Sequence, residues 1–333
     1  MQEQVNRQII LASHPSGYPT EDSFRMVEAA VPVPEDRQVL VRTMWLSLDP
    51  YMRSRMRETV PHAIGQPMPG STVGKVVVSR RSDTPVGLIV EAPAGWQDYI
   101  LSDGRGLRPI DPTAAPISTA LGVLGMPGLT AYHGLFEIGR PQTGETVVVS
   151  AASGAVGAIV GQLASLAGCR VVGIAGTEEK VKYLLEDLGF DAAINYKHKS
   201  VRAKLAEYCP NGVDVYFDNV GGDITDAVLE ALADRARVVI CGQISQYNLP
   251  EPEVGQRNLW QVLTHQATIE GFMVGRFANR AEAARGRLTR LLQEGLLKYK
   301  EDVVDGLENA PKAFVGMMQG ENFGKLLVRI SED

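Results

Sequence analysis

The chain has 333 residues, which is enough for two domains with separate hydrophobic cores. Its 33 basic and 39 acidic residues give a net charge of −6, so a nucleic-acid-binding role has no electrostatic support. The composition, 44% hydrophobic and 22% charged, is ordinary for a globular protein. No apolar run approaches the roughly 20 residues that a membrane-spanning helix needs, so we expect no membrane association.

The N-terminal segment and the cysteines predict where the protein resides. The segment MQEQVNRQIILASHPS carries Glu3 and only a short apolar stretch, so we expect no signal peptide. The three cysteines have no paired spacing, which suits a reducing compartment. We therefore expect a cytoplasmic protein.

The segment up to about residue 115 is predicted to consist of short strands separated by glycine and proline. The clearest strand segments are RQIILAS, QVLVRTMWLSL, STVGKVVVS, GLIVEAP and WQDYILS. Because no helical pattern separates these strands, we expect a folded antiparallel or barrel-like domain over residues 1–122.

From about Pro127 the pattern changes to alternating helices and strands. GLTAYHGLFEIG is predicted to be a helix, and the apolar run TVVVSAA precedes a second predicted helix over 156–167. The alternation continues through RVVGIAG, AAINY, VDVYFDNVG and ARVVICGQI. It predicts right-handed βαβ units and a parallel, doubly wound Rossmann sheet over 123–292. The amphipathic helix RLTRLLQEGLLKY and the final strand FGKLLVRI then return the chain to the strand-rich domain over 293–333.

A glycine-rich turn lies between the first predicted strand and helix of this domain. Ala152-Ser153-Gly154-Ala155-Val156-Gly157 is a variant of the dinucleotide-binding fingerprint. Gly154 is expected to let a pyrophosphate approach the N–H groups at the helix N-terminus, where the helix dipole favours an anion. Gly157 is expected to let the helix pack closely on the sheet. A tight βα turn without a ligand is the alternative.

The end of the second predicted strand indicates which cofactor binds. NAD-binding proteins usually place a carboxylate there, which bonds the ribose 2′-hydroxyl. This chain has Ala175-Gly176-Thr177 at that position, followed by Lys180, which predicts a site for the 2′-phosphate of NADPH. Glu178 and Glu179 oppose this interpretation unless they point away, as acids in the first turn of a helix. The alternative is that Lys180 is a solvated helix lysine.

The sequence lacks the residues of several other catalytic classes. The strand-rich domain has no cysteine before Cys169, and His14, His62 and His133 have no paired spacing for zinc. No serine nucleophile elbow and no phosphate-binding G-K-[ST] loop is present. Hydride transfer without a metal is the chemistry that remains.

Several longer motifs resemble those of a known family. AASGAVG, AGTEEKV, NYK, FDNVGG, ICGQIS and GENFGKLLV, with LSLDPYMRSRM, GWQDY and GMPGLTAYHGL, resemble the medium-chain dehydrogenase/reductase superfamily. Within it, the chain is similar to the zinc-independent prostaglandin/leukotriene reductases, the plant double-bond reductases and the bacterial curcumin reductases. The resemblance implies a Rossmann domain inserted into a GroES-like catalytic domain, a homodimer, and NADPH-dependent reduction of the carbon–carbon double bond of conjugated ketones and aldehydes.

The resemblance also implies a cofactor site. Its residues are Met126, Thr130, Gly154, Ala155, Val156, Gly157, Gly176, Thr177, Lys180, Tyr196, Asn219, Cys241, Gly242, Tyr247 and Asn322. Residues 154–157 match the pyrophosphate turn, and Gly176, Lys180 and Tyr196 match contacts near the adenosine phosphate. Tyr247 and Asn322 match positions by the nicotinamide half. Cys241 has no neighbouring histidine in sequence, so we expect it to pack beside the cofactor rather than act as a nucleophile.

Two tyrosines are the candidate catalytic residues. Hydride addition to the β-carbon of an enone places negative charge on the carbonyl oxygen, and a tyrosine hydroxyl can donate a hydrogen bond there without carrying charge. We expect Tyr247 to stabilise this enolate and Tyr51, which matches a tyrosine at the family's substrate mouth, to position the substrate. Solvent or a tyrosine completes protonation at the α-carbon. The alternative for each tyrosine is an aromatic wall.

The substrate mouth departs from the animal enzymes. Gly275 stands where the animal prostaglandin reductases have an aromatic residue, so their substrate preference is not transferred. The candidate substrate contacts are Tyr51, Arg53, Met273 and Phe277, a set that favours hydrophobic enones and enals of several sizes. Two rival functions remain, an NADPH:quinone oxidoreductase and a non-catalytic NADPH-binding redox sensor.

Overall fold

The computed structural model describes residues 5–59, 62–251, 253–255 and 258–332. The chain forms two compact units. Unit 1 comprises Met1–Gly122 and Glu301–Asp333, and unit 2 comprises Val123–Lys300. No helix within these described ranges is long and apolar enough to cross a membrane.

The strands are β1 (Val5–Leu11), β2 (Phe24–Ala30), β3 (Val39–Ser47), β4 (Ser71–Ser79), β5 (Ile89–Pro93), β6 (Tyr99–Ser102), β7 (Arg108–Pro109), β8 (Thr146–Val149), β9 (Arg170–Ala175), β10 (Ala192–Asn195), β11 (Val213–Asp218), β12 (Leu232–Ile240), β13 (Thr268–Gly271), β14 (Glu301–Asp305) and β15 (Lys325–Arg329).

The α-helices are α1 (Met52–Arg55), α2 (Met126–His133), α3 (Gly157–Leu166), α4 (Glu178–Lys182), α5 (Val201–Tyr208), α6 (Gly222–Leu229), α7 (Leu259–Thr264), α8 (Ala281–Gln293) and α9 (Ala310–Met318). Helix α2 continues into a π-helical turn at Gly134–Gly139, and α4 continues into one at Tyr183–Asp187.

The core of unit 2 is a six-stranded parallel sheet with the order β10-β9-β8-β11-β12-β13. Every residue of β8 is buried, as expected for a central strand with helices on both faces. The apolar side of α3 packs on this sheet through Ile159, Val160 and Leu163. The prediction of a doubly wound Rossmann sheet is confirmed.

Unit 1 is built on a seven-stranded sheet in which β14, β15, β3, β4, β5 and β7 follow one another and β6 also pairs with β3. The pairings are antiparallel except that of β14 with β15, and β1 and β2 form a separate antiparallel pair. An aromatic cluster of Phe24, Trp96 and Phe314 fills the interior, with ring centroids 5.4–5.9 Å apart. The prediction of a strand-rich domain that takes its last strand from the C-terminus is confirmed.

The chain returns to unit 1 at Glu301, eight residues after the predicted boundary at residue 293. Residues 293–300 belong to unit 2. Leu297 is buried there, and both the N–H and the carbonyl of Lys298 form hydrogen bonds with Gln162. Its N–H donates to Gln162 Oε1 over 2.8 Å, and its carbonyl accepts from Gln162 Nε2 over 2.9 Å. The pattern of polar and apolar residues does not predict these hydrogen bonds, because they join residues far apart in the sequence.

Candidate functional site

The crevice where a ligand is expected lies at the carboxyl ends of β8 and β11, where the strand order of the parallel sheet reverses. Asn219 follows β11 and bridges to Ser150, which follows β8. Its side-chain amide donates to the Ser150 carbonyl over 2.8 Å, and its N–H donates to Ser150 Oγ over 2.9 Å. The bridge fixes the edge of the sheet on which the glycine turn lies.

The glycine turn is shaped by close approach of backbone to backbone. A Cβ at Gly157 would lie 2.5 Å from the Ala151 carbonyl oxygen, and one at Gly154 would lie 3.2 Å from the same atom. Helix α3 begins at Gly157, so the N–H groups of its first turn lie directly after the turn. Glycine is therefore required where the backbone folds back on Ala151, and the N–H groups at the start of α3 fit a pyrophosphate held by the backbone.

The junction after β9 carries the residues predicted to read a phosphate. A Cβ at Gly176 would lie 3.1 Å from the ring of Tyr196, so the glycine and this half-exposed tyrosine are direct neighbours. Thr177 caps α4, its hydroxyl accepting from the Lys180 N–H over 3.2 Å. The first turn of α4 therefore starts beside Tyr196.

Glu178, whose negative charge would repel a phosphate, forms a hydrogen bond with another side chain. Glu178 Oε1 accepts a hydrogen bond of 2.7 Å from the side-chain amide of Asn195, at the end of β10. Glu179 is exposed in the same turn. The carboxylate of Glu178 is therefore engaged at β10, which removes part of the objection to a phosphate beside Gly176.

Asp218, the last residue of β11, organises the neighbouring strand end. Its buried carboxylate accepts from the Tyr216 hydroxyl, from the Thr225 hydroxyl and from the N–H groups of Val220 and Gly221, over 2.7–3.0 Å. Its backbone carbonyl accepts from the N–H groups of residues 241 and 242, over 2.9 and 3.0 Å. Because these donors satisfy the carboxylate, Asp218 is a structural support of the site.

Tyr247 folds back over the segment that follows β12. Its hydroxyl oxygen accepts from the Gln243 N–H over 3.3 Å, and a Cβ at Gly242 would lie 3.2 Å from that oxygen.

Burial, and secondly the charge of Asp218, raise the pKa of the Cys241 thiol to about 12. Cys241 is therefore a neutral thiol at physiological pH, which supports packing over nucleophilic chemistry.

Met126 and Thr130 open helix α2, one turn apart. The Thr130 hydroxyl donates to the Met126 carbonyl over 2.7 Å, and Thr130 is buried. That bond uses the hydroxyl hydrogen within the helix, so a cofactor contact by Thr130 has to use its methyl group or accept a hydrogen bond at the hydroxyl oxygen.

Tyr51 and Asn322 lie in unit 1. Tyr51 is 36% exposed. It is the residue directly before α1. Burial of the hydroxyl, and secondly the charge of Asp49, raise its pKa to about 12, with Arg55 opposing. It is therefore a protonated hydrogen-bond donor at neutral pH. Asn322 donates to the Gly324 carbonyl over 3.0 Å, which folds the loop before β15.

A buried ion pair beside these two residues was not predicted from the sequence. Lys325 Nζ lies 2.7 Å from Asp49 Oδ1 and donates to the Leu48 carbonyl over 2.8 Å, and both charged side chains are at most 6% exposed. The Ser47 hydroxyl donates to the other carboxylate oxygen. The available signal was a charged residue inside each of the apolar segments WLSLDPY and FGKLLV.

Two candidate substrate contacts, Arg53 and Phe277, are buried within their own units. Arg53 is 2% exposed and donates to the carbonyls of Pro15 and Gly17 over 3.0 and 2.8 Å, so it ties down a loop of unit 1. Phe277 is 3% exposed and stacks on His133 at 4.8 Å. Arginine guanidinium groups lie 5.3 and 5.4 Å from its ring centroid. Met273, 80% exposed, stays the predicted apolar contact of unit 2.

No cluster of three or more His, Cys, Asp or Glu side chains arranged to hold a metal ion occurs among the residues that the structure describes. The predicted cofactor residues of unit 2 are glycines, uncharged side chains and one lysine, Lys180.

Fold and site together define a class. A parallel Rossmann sheet carries a glycine turn at its switch point, and a strand-rich unit encloses it in sequence; this is the organisation of a dinucleotide-dependent oxidoreductase. Two family models agree with this division. The N-terminal domain of oxidoreductase matches residues 7–110, and the zinc-binding dehydrogenase model matches residues 155–290.

Similarity to single proteins extends over the whole chain. The chain is 43% identical to the NADPH-dependent curcumin reductase of Escherichia coli K12, over 100% of this chain and 99% of that protein. It is 42% identical to the NADP(+)-dependent 2-alkenal reductase of Nicotiana tabacum, over the full length of both. The crystal structure of CurA from Vibrio vulnificus in complex with NADPH superposes with a TM-score of 0.94 at 44% identity, covering 98% of this chain and 100% of that one.

The chain therefore belongs to the medium-chain dehydrogenase/reductase superfamily, in the branch that contains the curcumin, prostaglandin and 2-alkenal reductases.

Proposed function

We propose that this protein uses NADPH to reduce the α,β carbon–carbon double bond of conjugated ketones and aldehydes. The observation that carries the proposal is the full-length similarity to two reductases, one named for NADPH and curcumin and the other for NADP(+) and 2-alkenals. The glycine turn and the carboxylate-free strand end Ala175-Gly176-Thr177 support the choice of cofactor.

We assign most of the cofactor contacts to unit 2, because its residues fit the group. The turn 154–157 would hold the pyrophosphate through N–H groups at the start of α3. Gly176, Thr177, Lys180 and Tyr196 would surround the 2′-phosphate, with Lys180 supplying the positive charge. Further contacts are proposed for the residues at the ends of β11 and β12, at the start of α2 and before β15, namely Asn219, Cys241, Gly242, Tyr247, Met126, Thr130 and Asn322. NADPH, when bound, supplies the hydride for the β-carbon of the substrate.

The chain contributes hydrogen bonding and substrate orientation. Negative charge grows on the carbonyl oxygen of the enone, and a donor placed there in advance lowers the barrier. We assign this donor to Tyr247. Its oxygen accepts from the Gln243 N–H, which holds the phenol in place and is compatible with donation of the hydroxyl hydrogen to a substrate oxygen.

Tyr51 is assigned to orient the substrate. Its raised pKa keeps the hydroxyl protonated, and its ring offers an apolar surface to a conjugated substrate. Met273 would add an unbranched apolar contact that adapts to several substrate shapes. These contacts favour hydrophobic enones and enals over charged substrates.

The test follows consumption of reduced nicotinamide with a simple aryl enone, in parallel with NADPH and NADH. We expect rapid oxidation of NADPH and slow oxidation of NADH. Equal rates with NADPH and NADH would still support a reductase but would contradict the proposed role of Lys180. Turnover of a quinone without turnover of the enone would assign the protein to the quinone oxidoreductases. Tight NADPH binding without turnover of either substrate would make it a redox sensor.

We also propose a cytoplasmic homodimer. Strand β13 is an edge of the Rossmann sheet, and the neighbouring helix α7 exposes Leu259, Trp260 and Leu263, with Trp260 69% exposed. Pairing of two β13 edges across a two-fold axis would satisfy the edge N–H and carbonyl groups and cover these side chains. Light scattering should give the mass of a dimer, and Trp260→Glu should shift it to that of a monomer; a monomeric wild type would contradict the proposal.

A further inference from the structure

The charged groups of Asp49 and Lys325 are buried inside unit 1. Lys325 is the first residue of β15, and its stem packs where a Cβ at Gly122 would lie 3.4 Å from its Cγ. Its ammonium group donates to Asp49 and to the Leu48 carbonyl, while the Ser47 hydroxyl holds the second oxygen of Asp49. Removing two charges from water is costly, and an apolar pair of the same volume usually stabilises a fold equally well.

The pair lies between two segments that the proposed function uses. Tyr51 is two residues after Asp49, and Asn322 is three residues before Lys325. The Asp49 carbonyl accepts the N–H of Met52 over 3.1 Å, so Asp49 also fixes the start of α1, directly after Tyr51. The ion pair thus joins the loop of Tyr51 to the loop of Asn322, which are separated by more than half of the chain.

A second carboxyl group adjoins Lys325. Glu301 of β14 is its register partner, and burial raises the pKa of Glu301, with Ser118 and Lys325 opposing. On the following residue, Asp302 Oδ2 accepts the N–H of Phe323 over 3.0 Å, which anchors the loop of Asn322 from the side of β14. The ammonium group is therefore the centre of a polar cluster built from three separate segments of unit 1.

We propose that the Asp49–Lys325 ion pair is a positioning device that holds Tyr51 and Asn322 in the orientation required for catalysis. Stability alone does not require charged groups here, but a lysine that bonds a carboxylate and a main-chain carbonyl permits only one arrangement of the two loops. The inference rests on the proposed role of Tyr51 and names two residues that act through it.

The principal test is the double variant Asp49→Asn/Lys325→Met, which removes both charges without leaving either unpaired. Its melting temperature should stay close to that of the wild type, and its NADPH affinity should change little, because Asn322 is only one of the many cofactor contacts proposed above. Its kcat/KM for the enone should nevertheless fall about tenfold to a hundredfold, because misplacement of a contact residue by about 1 Å has effects of this size. The matched control is Glu91→Gln/Arg108→Met, which removes an ion pair between β5 and β7 of the same sheet and should leave kcat/KM unchanged.

A second readout does not depend on activity. In the absence of cofactor, hydrogen exchange of the Met52 N–H should be faster in the double variant, while that of the Val76 N–H in β4 should be unchanged. Ser47→Ala removes only one bond to Asp49 and should fold normally. It should lower kcat/KM in the same direction by a smaller factor, so the inference is testable even if the double variant does not fold.

The outcomes separate this inference from the proposed function. Wild-type kcat/KM and exchange in both the double variant and Ser47→Ala would overturn the positioning role. A wild type that reduces no enone would overturn the proposed function, whereas the exchange measurement would still decide whether the pair orders the Tyr51 loop. In the Tyr51→Phe background the double variant should cost little further activity; a full additional loss would show that the pair does not act through Tyr51.

Discussion

In unit 2 the residues assigned to the cofactor are placed by the backbone: small residues at strand ends, a helix N-terminus and main-chain hydrogen bonds define the turn around Gly154 and Gly157. In unit 1 the proposed substrate tyrosine, Tyr51, lies two residues after Asp49, which forms a buried ion pair with Lys325. We expect the first arrangement to be most sensitive to added volume and the second to an unpaired buried charge.

We expect the largest effect when a single charge is removed from the buried pair of unit 1. Asp49→Asn leaves the Lys325 ammonium buried without its counter-charge, and we expect the free energy of unfolding to fall by about 3–5 kcal/mol. Urea denaturation measures this change. Glu91→Gln, in the more exposed pair with Arg108, is the control and should cost about 1 kcal/mol or less. Equal losses would contradict a special role of the buried pair.

Removal of the proposed oxyanion donor in unit 2 should have the next largest effect. Tyr247→Phe keeps the ring and deletes the hydroxyl, and we expect kcat for the enone to fall about a hundredfold. Steady-state kinetics measures the loss, and NADPH titration of the same variant serves as control, with affinity within about threefold of the wild type. An unchanged kcat would exclude Tyr247 as the donor.

Added volume at the glycine turn tests the backbone half of the comparison. A Cβ at Gly157 would meet the Ala151 carbonyl, so we expect Gly157→Ala to destabilise the protein by about 1–3 kcal/mol and to weaken NADPH binding. Gly286 lies inside α8 with no atom within 4 Å of its Cβ position, so Gly286→Ala should stabilise by about 0.5–1 kcal/mol. If both variants were stabilised, the close packing of the turn would be refuted.

The phosphate junction should show a smaller effect. Lys180→Met should raise the KM for NADPH about tenfold, because one charge-assisted hydrogen bond is lost. The KM for NADH should be unchanged. Lys182→Met is the matched control, since Lys182 lies in the same helix, is exposed and pairs with Glu186 at 3.7 Å. Equal effects on both cofactors would contradict recognition of the 2′-phosphate by Lys180.

The smallest effect concerns pH. The pKa of Tyr51 is raised from 10.0 to about 12, chiefly by burial, so the folded protein retains a proton that the unfolded chain releases. The stability due to this proton is complete below pH 10 and is lost as the pH rises towards 12. We therefore expect kcat/KM to show no tyrosine ionisation up to about pH 10. A loss of activity near pH 9 that Tyr51→Phe abolishes would contradict this.

The sequence predicts most of unit 2 because the relevant signals are local. Strand, glycine turn and helix follow one another within about 20 residues, and the spacing of 154–157 carries the physical requirement directly. Burial of Phe277 and Arg53 was not predictable in this way. Both lie in segments with mixed polarity, and their partners, His133 and the carbonyls of Pro15 and Gly17, come from other elements.

The ion pair of unit 1 shows the limit of local reasoning most clearly. Asp49 and Lys325 are separated by 276 residues, and the register that joins them is set by the pairing of β15 with β3. A lysine at the start of a strand and an aspartate before a proline each have ordinary local explanations, a solvated charge and a turn. Only the folded sheet brings the two charges together.

The most direct test of the central claim follows the transferred hydrogen itself. The wild-type enzyme is incubated with an aryl enone and NADPH that carries deuterium at its transferable position, and the product is analysed by nuclear magnetic resonance. We expect a saturated ketone with deuterium on the β-carbon. Deuterium on the carbonyl carbon of an alcohol, or enone recovered unchanged, would contradict it.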